Sequence, residues 1–199
     1  SCFEVDGAVF TLPMAGELNV RNALAVIAVA RHCGLSAAQI QSAFETFQGI
    51  KRRMEVRGEV SGVMVIDDFA HHPTAIAETL KAVRVRFPGR RVWAIFEPRS
   101  NTTRRAVFQD YLVEALSEAD AVVVAEVARL DQLPEDDRLD PGALMEALQA
   151  NGTESAYLPD AKSIAAHATA AAKPGDIICV LSNGGFDGLH EKLLAGLKA

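Results

Sequence analysis

The strongest constraint in this chain is the rhythm of its last three quarters. VMVI at 63–66, RVWAIF at 91–96, AVVVAE at 121–126 and DIICVLS at 176–182 are short apolar runs, each followed by a segment with helical spacing. Runs so short and so apolar make strands buried on both faces, and the helices between them supply the crossovers that parallel neighbours need. Residues 54–199 are therefore expected to form an α/β unit, a doubly wound, mostly parallel Rossmann-like sheet. MEVRGEVSGVMVIDD should open it as a hairpin around Ser61-Gly62, with Val63–Ile66 as the inner strand. Helices are expected behind Pro73, over about residues 103–117, behind Asp140, from Asp160 to about 172, and at DGLHEKLLAGL, with a weaker strand near 154–158.

The first 49 residues read differently. FEVDGAVFTL predicts a hairpin over residues 3–12 around Asp6-Gly7. LNVRNALAVIAVARHCG carries apolar side chains around almost its whole circumference, which predicts a buried helix ending at Gly34. Ser36 with Gln39 three residues later predicts a capping box for AAQIQSAFETF, with Gly49 as its stop. A hairpin and two helices are too little to bury a core alone, so this part reads as the end of something larger, hinged at GIKRR (49–53).

Charge and composition narrow the partners. The net charge of −6 disfavours nucleic acid. Residues 51–110 hold 12 Lys and Arg against 7 Asp and Glu, a local +5, leaving −11 for the rest. A cationic stretch in an acidic protein suits a compact anion such as a nucleotide or phosphorylated substrate. No apolar run approaches the roughly 20 residues of a membrane helix, and the start lacks the layout of a signal peptide, so no membrane partner and a cytoplasmic location are expected. Cys2, Cys33 and Cys179 are expected to be reduced packing residues.

In an open α/β sheet, ligands sit outside the carboxyl ends of the strands. IDDFAHHP, FEPRSNTTRR and LSNGGFDG each follow a strand, so three loops distant in sequence should converge on one rim. Asp67, Asp68, His71 and His72 offer ligands for a metal, but adjacent histidines point in different directions and suit a zinc site poorly. Strand-end capping is the commonest use of such residues, whereas four titratable groups together favour a nucleotide-contacting loop. Arg99, Asn101, Thr102, Arg104 and Arg105 could grip a carboxylate or phosphate, or form an exposed basic helix start. The two glycines of LSNGGFDG allow close approach to the backbone, with Ser182 and Asn183 as polar contacts. GxxxxGK[ST], the loop that wraps nucleotide phosphates, is absent from the sequence.

Together these motifs resemble the Mur ligases, ATP-dependent amide ligases of bacterial cell-wall synthesis. LNVRNALAVIAVARHCGL is similar to the late helix of the family's central ATPase domain, although a histidine often found before the first Asn is here Leu18. GIKRRMEVRG resembles the Gly-x-x-x-Arg-x-Glu entry to the carboxy-terminal domain, and DDFAHHPTAI its ATP-contacting loop. EPRSNT and SNGGF are closest to family members that accept a recycled murein tripeptide. The resemblance implies that residues 1–49 are the tail of the central ATPase domain and 50–199 the carboxy-terminal domain. The amino-terminal and central domains of the same protein would then be its partners.

It further implies a ligase joining UDP-N-acetylmuramate to L-alanyl-γ-D-glutamyl-meso-diaminopimelate through an acyl phosphate, in peptidoglycan recycling. ATP and magnesium would be held mainly by the central domain, and the fragment alone would be inactive, with no catalytic or metal-binding residues of its own. Asn22, Arg53, Asp68 and His71 are implied at the nucleotide, with Asp67 and His72 less firmly placed. Arg99, Ser182, Asn183 and Gly184 are the candidates for the peptide. Two other readings stand beside this one: a non-catalytic nucleotide-binding or interaction module, and a metal-dependent hydrolase built on the DDFAHH cluster.

Overall fold

The computed structural model describes residues 1–198. It opens with a hairpin, β1 (Cys2–Val5) and β2 (Ala8–Thr11), whose turn places Asp6 at φ 49 and Gly7 at φ 76. Those angles are the left-handed pair that matches the twist of a tight hairpin. Two helices follow, α1 (Glu17–His32) and α2 (Ala37–Thr46). The Ser36–Gln39 capping box is present.

Two expectations need correction here. Only Ala23 and Ile27 of α1 are buried, while Val26 and Val29 are 52% and 64% exposed. The helix packs one face on Phe10, Ile40 and Phe44 and leaves apolar side chains open on the others. α2 ends at Thr46, one residue short of the expected AAQIQSAFETF, because Phe47 turns to extended backbone.

The larger part is a six-stranded sheet in the order β3-β4-β8-β5-β6-β7. Its strands are β3 (Glu55–Val60), β4 (Val63–Asp68), β5 (Val92–Phe96), β6 (Ala121–Ala125), β7 (Glu154–Leu158) and β8 (Ile177–Leu181). β3 is antiparallel to β4 at the edge and every other pairing is parallel. The crossover helices are α3 (Pro73–Arg86), α4 (Gln109–Leu116), α5 (Pro141–Ala150) and α6 (Ala161–Ala171), with α7 (Leu189–Gly196) last. The α/β, doubly wound expectation is met.

Alternation along the strands builds two cores. Val92, Ala94 and Phe96 of β5 face α3, α4 and α5, whereas Trp93 and Ile95 face α6 and α7. β8 divides likewise, with Ile177, Cys179 and Leu181 on the first side and Ile178 and Val180 on the second. β4 through β7 run in one direction with their helices on one face, and α6 then carries the chain back over the other face to insert β8 between β4 and β5. That reversal is the topological switch point, where such sheets open a crevice.

Helix caps agree with the sequence at Asp140, which accepts from Ala143 N at 3.0 Å, and at Asp160, which accepts from Ser163 N at 2.7 Å. The helix expected over 103–117 is shorter. A 3₁₀ turn covers Ala106–Phe108 and α4 starts at Gln109. The reason is Arg104, buried with its guanidinium on the carbonyls of Ala128 (3.2 Å) and Arg129 (2.9 Å) and on Asn101 Oδ1 (2.7 Å). It braces two loops and holds 101–105 out of helical shape. All three cysteines are free, but only Cys179 is a packing residue, since Cys2 and Cys33 are exposed. No helix among the described residues is long and apolar enough to cross a membrane.

The facing of α3 gives a direct test. Leu80 is fully buried and Val85 is 73% exposed on the same helix. Leu80→Ala should lower unfolding stability by about 2–5 kcal/mol in urea titrations, and Val85→Ala by no more than about 0.5 kcal/mol. Equal losses would contradict this register.

Candidate functional site

Pleating decides what the DDFAHH cluster is. Successive strand residues point to opposite faces, so Asp67 shares the α7 face of the sheet with Val65, while Asp68 shares the α3 face with Ile66. Asp67 is buried beside an imidazole and two guanidinium groups: His190 Nε2 is 3.3 Å from Oδ1, Arg52 Nε is 3.5 Å from Oδ1, and Arg57 Nη1 is 3.5 Å from Oδ2. The His190 nitrogen lies off the line of a well-formed hydrogen bond, so at 3.3 Å the contact is one of proximity. Arg57 is aimed inward by a bulge in β3, between the pairs Val56–Ile66 and Gly58–Val65. Burial would raise the Asp67 carboxyl, but His190 and Arg52 outweigh it and hold the group below its usual range.

Asp68 is compensated differently. Its Oδ2 accepts from Met54 N at 2.8 Å, and its Oδ1 accepts from Ala70 N at 2.8 Å and Thr79 Oγ1 at 3.3 Å. Burial pushes this carboxyl up, against the pull of those backbone donors. His71 Nδ1 meets Phe69 O at 3.0 Å, and His72 caps α3 by accepting from Thr74 N at 3.3 Å. The four side chains are thus engaged in four directions. Among the described residues no three His, Cys, Asp or Glu groups converge to hold a metal ion.

A cleft of about 690 Å³ lies between the first part of the chain and α3. Its apolar walls include Leu12, Val26, Phe47 and Ala82. Gly16 presses on α3 at one end, where a Cβ would sit 2.8 Å from Ala82 Cβ. Asn22, Arg53 and Asp68, three of the four residues assigned to a nucleotide from sequence, line this cleft together. His71 is outside its lining. The Arg53 guanidinium lies 5.5 Å from the centre of the Phe69 ring, and that of Arg52 at 5.2 Å. The size is within the usual range for small-ligand pockets, and the largely apolar walls carry the amides of Asn19 and Asn22, the Arg53 cation and the carboxyls of Glu17, Asp68 and Glu78.

The second cluster gathers at the ends of β5 and β8. Glu97 N donates to Leu181 O at 3.1 Å, and Ser182 N donates to Asp68 O at 3.1 Å, so the loops after β4, β8 and β5 meet as expected. Ser182 is fully buried, its hydroxyl donating to Glu97 and accepting from Gly184 N at 2.9 Å. It therefore shapes the loop rather than facing the open rim. Arg99 lies on Gly184 so closely that a Cβ there would fall 1.8 Å from Arg99 Nη1. Asn183 Oδ1 is shielded from solvent and has no hydrogen-bond partner among the described residues.

Sequence reasoning missed Arg52, Arg57, His190 and Glu97. Arg52 stood beside the favoured Arg53 in KRR, and only its contacts distinguish it: Nη2 donates to Ser182 O at 2.5 Å and to Gly184 O at 2.7 Å. His190 sits eight residues past Ser182 in a helix, with no local signal pointing to β4.

The Asp67 contacts imply a pH dependence. A carboxyl held below the ordinary 3.8 contributes stability that is present above 3.8 and lost as pH falls through its lowered folded value. Asp67→Asn should cost about 1–3 kcal/mol at pH 7, and the difference from wild type should shrink in denaturation curves taken progressively below pH 3.8. A difference that stays constant with pH would contradict the ionic role.

Comparison with known proteins agrees with this arrangement. The Mur ligase, glutamate ligase domain matches residues 52–184. The UDP-N-acetylmuramate–L-alanyl-γ-D-glutamyl-meso-2,6-diaminoheptandioate ligase of Escherichia coli K12 is 41% identical over 92% of this chain and 38% of its own length. The crystal structure of a murein peptide ligase from Psychrobacter arcticus 273-4 superposes with a TM-score of 0.73 at 38% identity, over 98% of this chain and 40% of that one. A domain from a ligase of the same description in Haemophilus ducreyi matches 73% of this chain and 99% of its own, at 33% identity and a TM-score of 0.57. The chain spans about two fifths of the curated relatives it matches. With a family match across most of the sheet and both loop clusters, this chain belongs to the Mur ligase family.

Proposed function

We propose that this chain is the part of an ATP-dependent amide ligase that closes over the nucleotide and receives the amine. The ligase would join UDP-N-acetylmuramate to L-alanyl-γ-D-glutamyl-meso-diaminopimelate in the cytoplasm, for peptidoglycan recycling. The observation that carries this reading is the pairing of an apolar cleft, lined by Asn22, Arg53 and Asp68, with an arginine laid on a glycine at the adjoining strand ends. The tripeptide is supported by the similarity to the Escherichia coli ligase of L-alanyl-γ-D-glutamyl-meso-2,6-diaminoheptandioate, and a murein peptide more generally by that to the Psychrobacter enzyme.

Residues 1–49 are assigned to the end of a central ATPase domain and 50–199 to the carboxy-terminal domain. The Haemophilus ducreyi domain, matched over nearly its whole length, supports that division. The sequence has no GxxxxGK[ST], so the phosphates and magnesium are assigned to a domain outside this chain. When bound, ATP supplies the phosphoryl group that activates the muramate carboxylate, through an acyl phosphate, toward an amine.

This chain's residues would then work by binding and exclusion. The apolar cleft walls take the base, Asn22 offers its amide, and Arg53 offers a cation at the nucleoside end. Asp68 fixes the backbone of Met54 and Ala70 beside the nucleotide, and His71 borders it. Arg99 offers a fork to a peptide carboxylate. Asn183 Oδ1, unpaired in the loop, offers an acceptor to the incoming N–H. Closure of this part over the cleft keeps water from an acyl phosphate.

Calorimetric titration of the chain tests the reading. It should bind the tripeptide at least about tenfold more tightly than L-alanine, and Arg99→Gln should weaken the tripeptide about tenfold, near 1.4 kcal/mol. Arg53→Gln should weaken ADP by a similar factor and leave the tripeptide unchanged. Absent tripeptide binding, or equal affinity for L-alanine, would overturn the substrate assignment. The isolated chain should form no ligated product from ATP, UDP-N-acetylmuramate and tripeptide, and turnover by it would end the proposed division of labour.

A further inference from the structure

We infer that Arg52 is a positioning residue for the peptide: without touching substrate, its guanidinium sets the shape of Ser182–Gly184, the floor on which Arg99 lies. This rests on the proposed assignment of Arg99 and Asn183 to the peptide, and goes beyond it by naming what holds them in place.

Arg52 is pinned before its side chain begins. Its backbone sits in the left-handed region at φ 57, its N–H donates to Glu55 Oε2 at 2.8 Å, and its carbonyl accepts from Phe69 N at 2.9 Å. From that fixed root the side chain crosses to the loop after β8. A single nitrogen, Nη2, donates to the carbonyls of Ser182 (2.5 Å) and Gly184 (2.7 Å). Among the described residues no other donor reaches either carbonyl. Asp67 steadies the guanidinium at Nε but does not rely on it, because Arg57 and His190 face the same carboxylate.

Consequently Gly184 is held from two sides. Arg52 draws its carbonyl, while its N–H donates to Ser182 Oγ, which is bound to Glu97. The Arg99 guanidinium rests where a Cβ on Gly184 would clash, so small movements of that backbone displace it directly. A ligand-gripping fork misplaced by about 1 Å can cost up to about a hundredfold in rate, so the arginine beneath the loop should govern peptide affinity. The cleft contacts of Asn22 and Asp68 do not pass through this guanidinium.

Titrations of Arg52→Met, Arg52→Lys and Arg52→Gln with the tripeptide and, separately, with ADP test the inference. Arg52→Met should weaken the tripeptide about tenfold or more and change ADP by less than about twofold. Arg52→Lys should recover much of the loss, since one ammonium can donate to two carbonyls. A merely structural role would lower both affinities together with the melting temperature, and that result overturns the inference. So does an unchanged tripeptide affinity in Arg52→Met. If Arg52→Met does not fold, tripeptide affinity must fall in the order Arg, Lys, Gln at constant ADP affinity, and any other order overturns it. Wild-type chain that binds ADP but no tripeptide refutes the peptide reading itself, and the inference with it. Wild-type chain that binds tripeptide while Arg52 is immaterial refutes only the inference.

Discussion

The pleat of β4 is the constraint from which the rest of the site follows. Two adjacent carboxylates at the end of a buried strand cannot share one environment, because the backbone sends them to opposite faces of the sheet. Asp67 goes to α7 and is matched by arginines and an imidazole, whereas Asp68 goes to α3 and is matched by backbone N–H groups and a hydroxyl. A joint metal site is thereby disfavoured by geometry rather than chemistry. The same pleat ties both helical layers, the start of β3 and the loop after β8 to one strand end.

The two compensations have different consequences. A buried carboxylate fixed by amides is committed to shape, since each oxygen already holds a donor that would be left unsatisfied if the group turned away. A buried carboxylate facing two arginines and an imidazole leaves them partly free. Arg52 uses only Nε on Asp67 and keeps Nη2 for the carbonyls of Ser182 and Gly184. Asp67 thus acts on the loop after β8 at one remove, by orienting an arginine that reaches across to it.

Much of this was legible in the sequence, and the exceptions share a cause. The apolar runs of β5, β6 and β8, the Ser36–Gln39 box and the caps at Asp140 and Asp160 are local patterns, and they appear where expected. The rim was readable too, because strand order need not be known to place carboxyl ends together. What failed depended on distant partners. Arg104 unwinds the expected start of α4 by bonding to carbonyls 24 and 25 residues away. The apolar circumference of α1 implied burial, but only one of its faces has a partner within the described residues. Arg52 and Arg53 are indistinguishable by type, and their roles separate only because residue 52 is turned toward β8 while Arg53 lines the cleft.

Arg99 shows why holding a cation in place differs from neutralising it. Glu97 lies 3.9 Å from its Nη1, but the arginine side chain is 42% exposed, and an exposed pair at that separation is worth little. The contact keeps the guanidinium near the loop without occupying its fork. Gly184 contributes the other half, since the missing side chain lets the planar group lie flat on the backbone. An anionic ligand arriving at such a group would displace a weak partner and gain a bidentate one. The place of this guanidinium is set by a glycine, a glutamate anchored on Ser182 and the arginine beneath them.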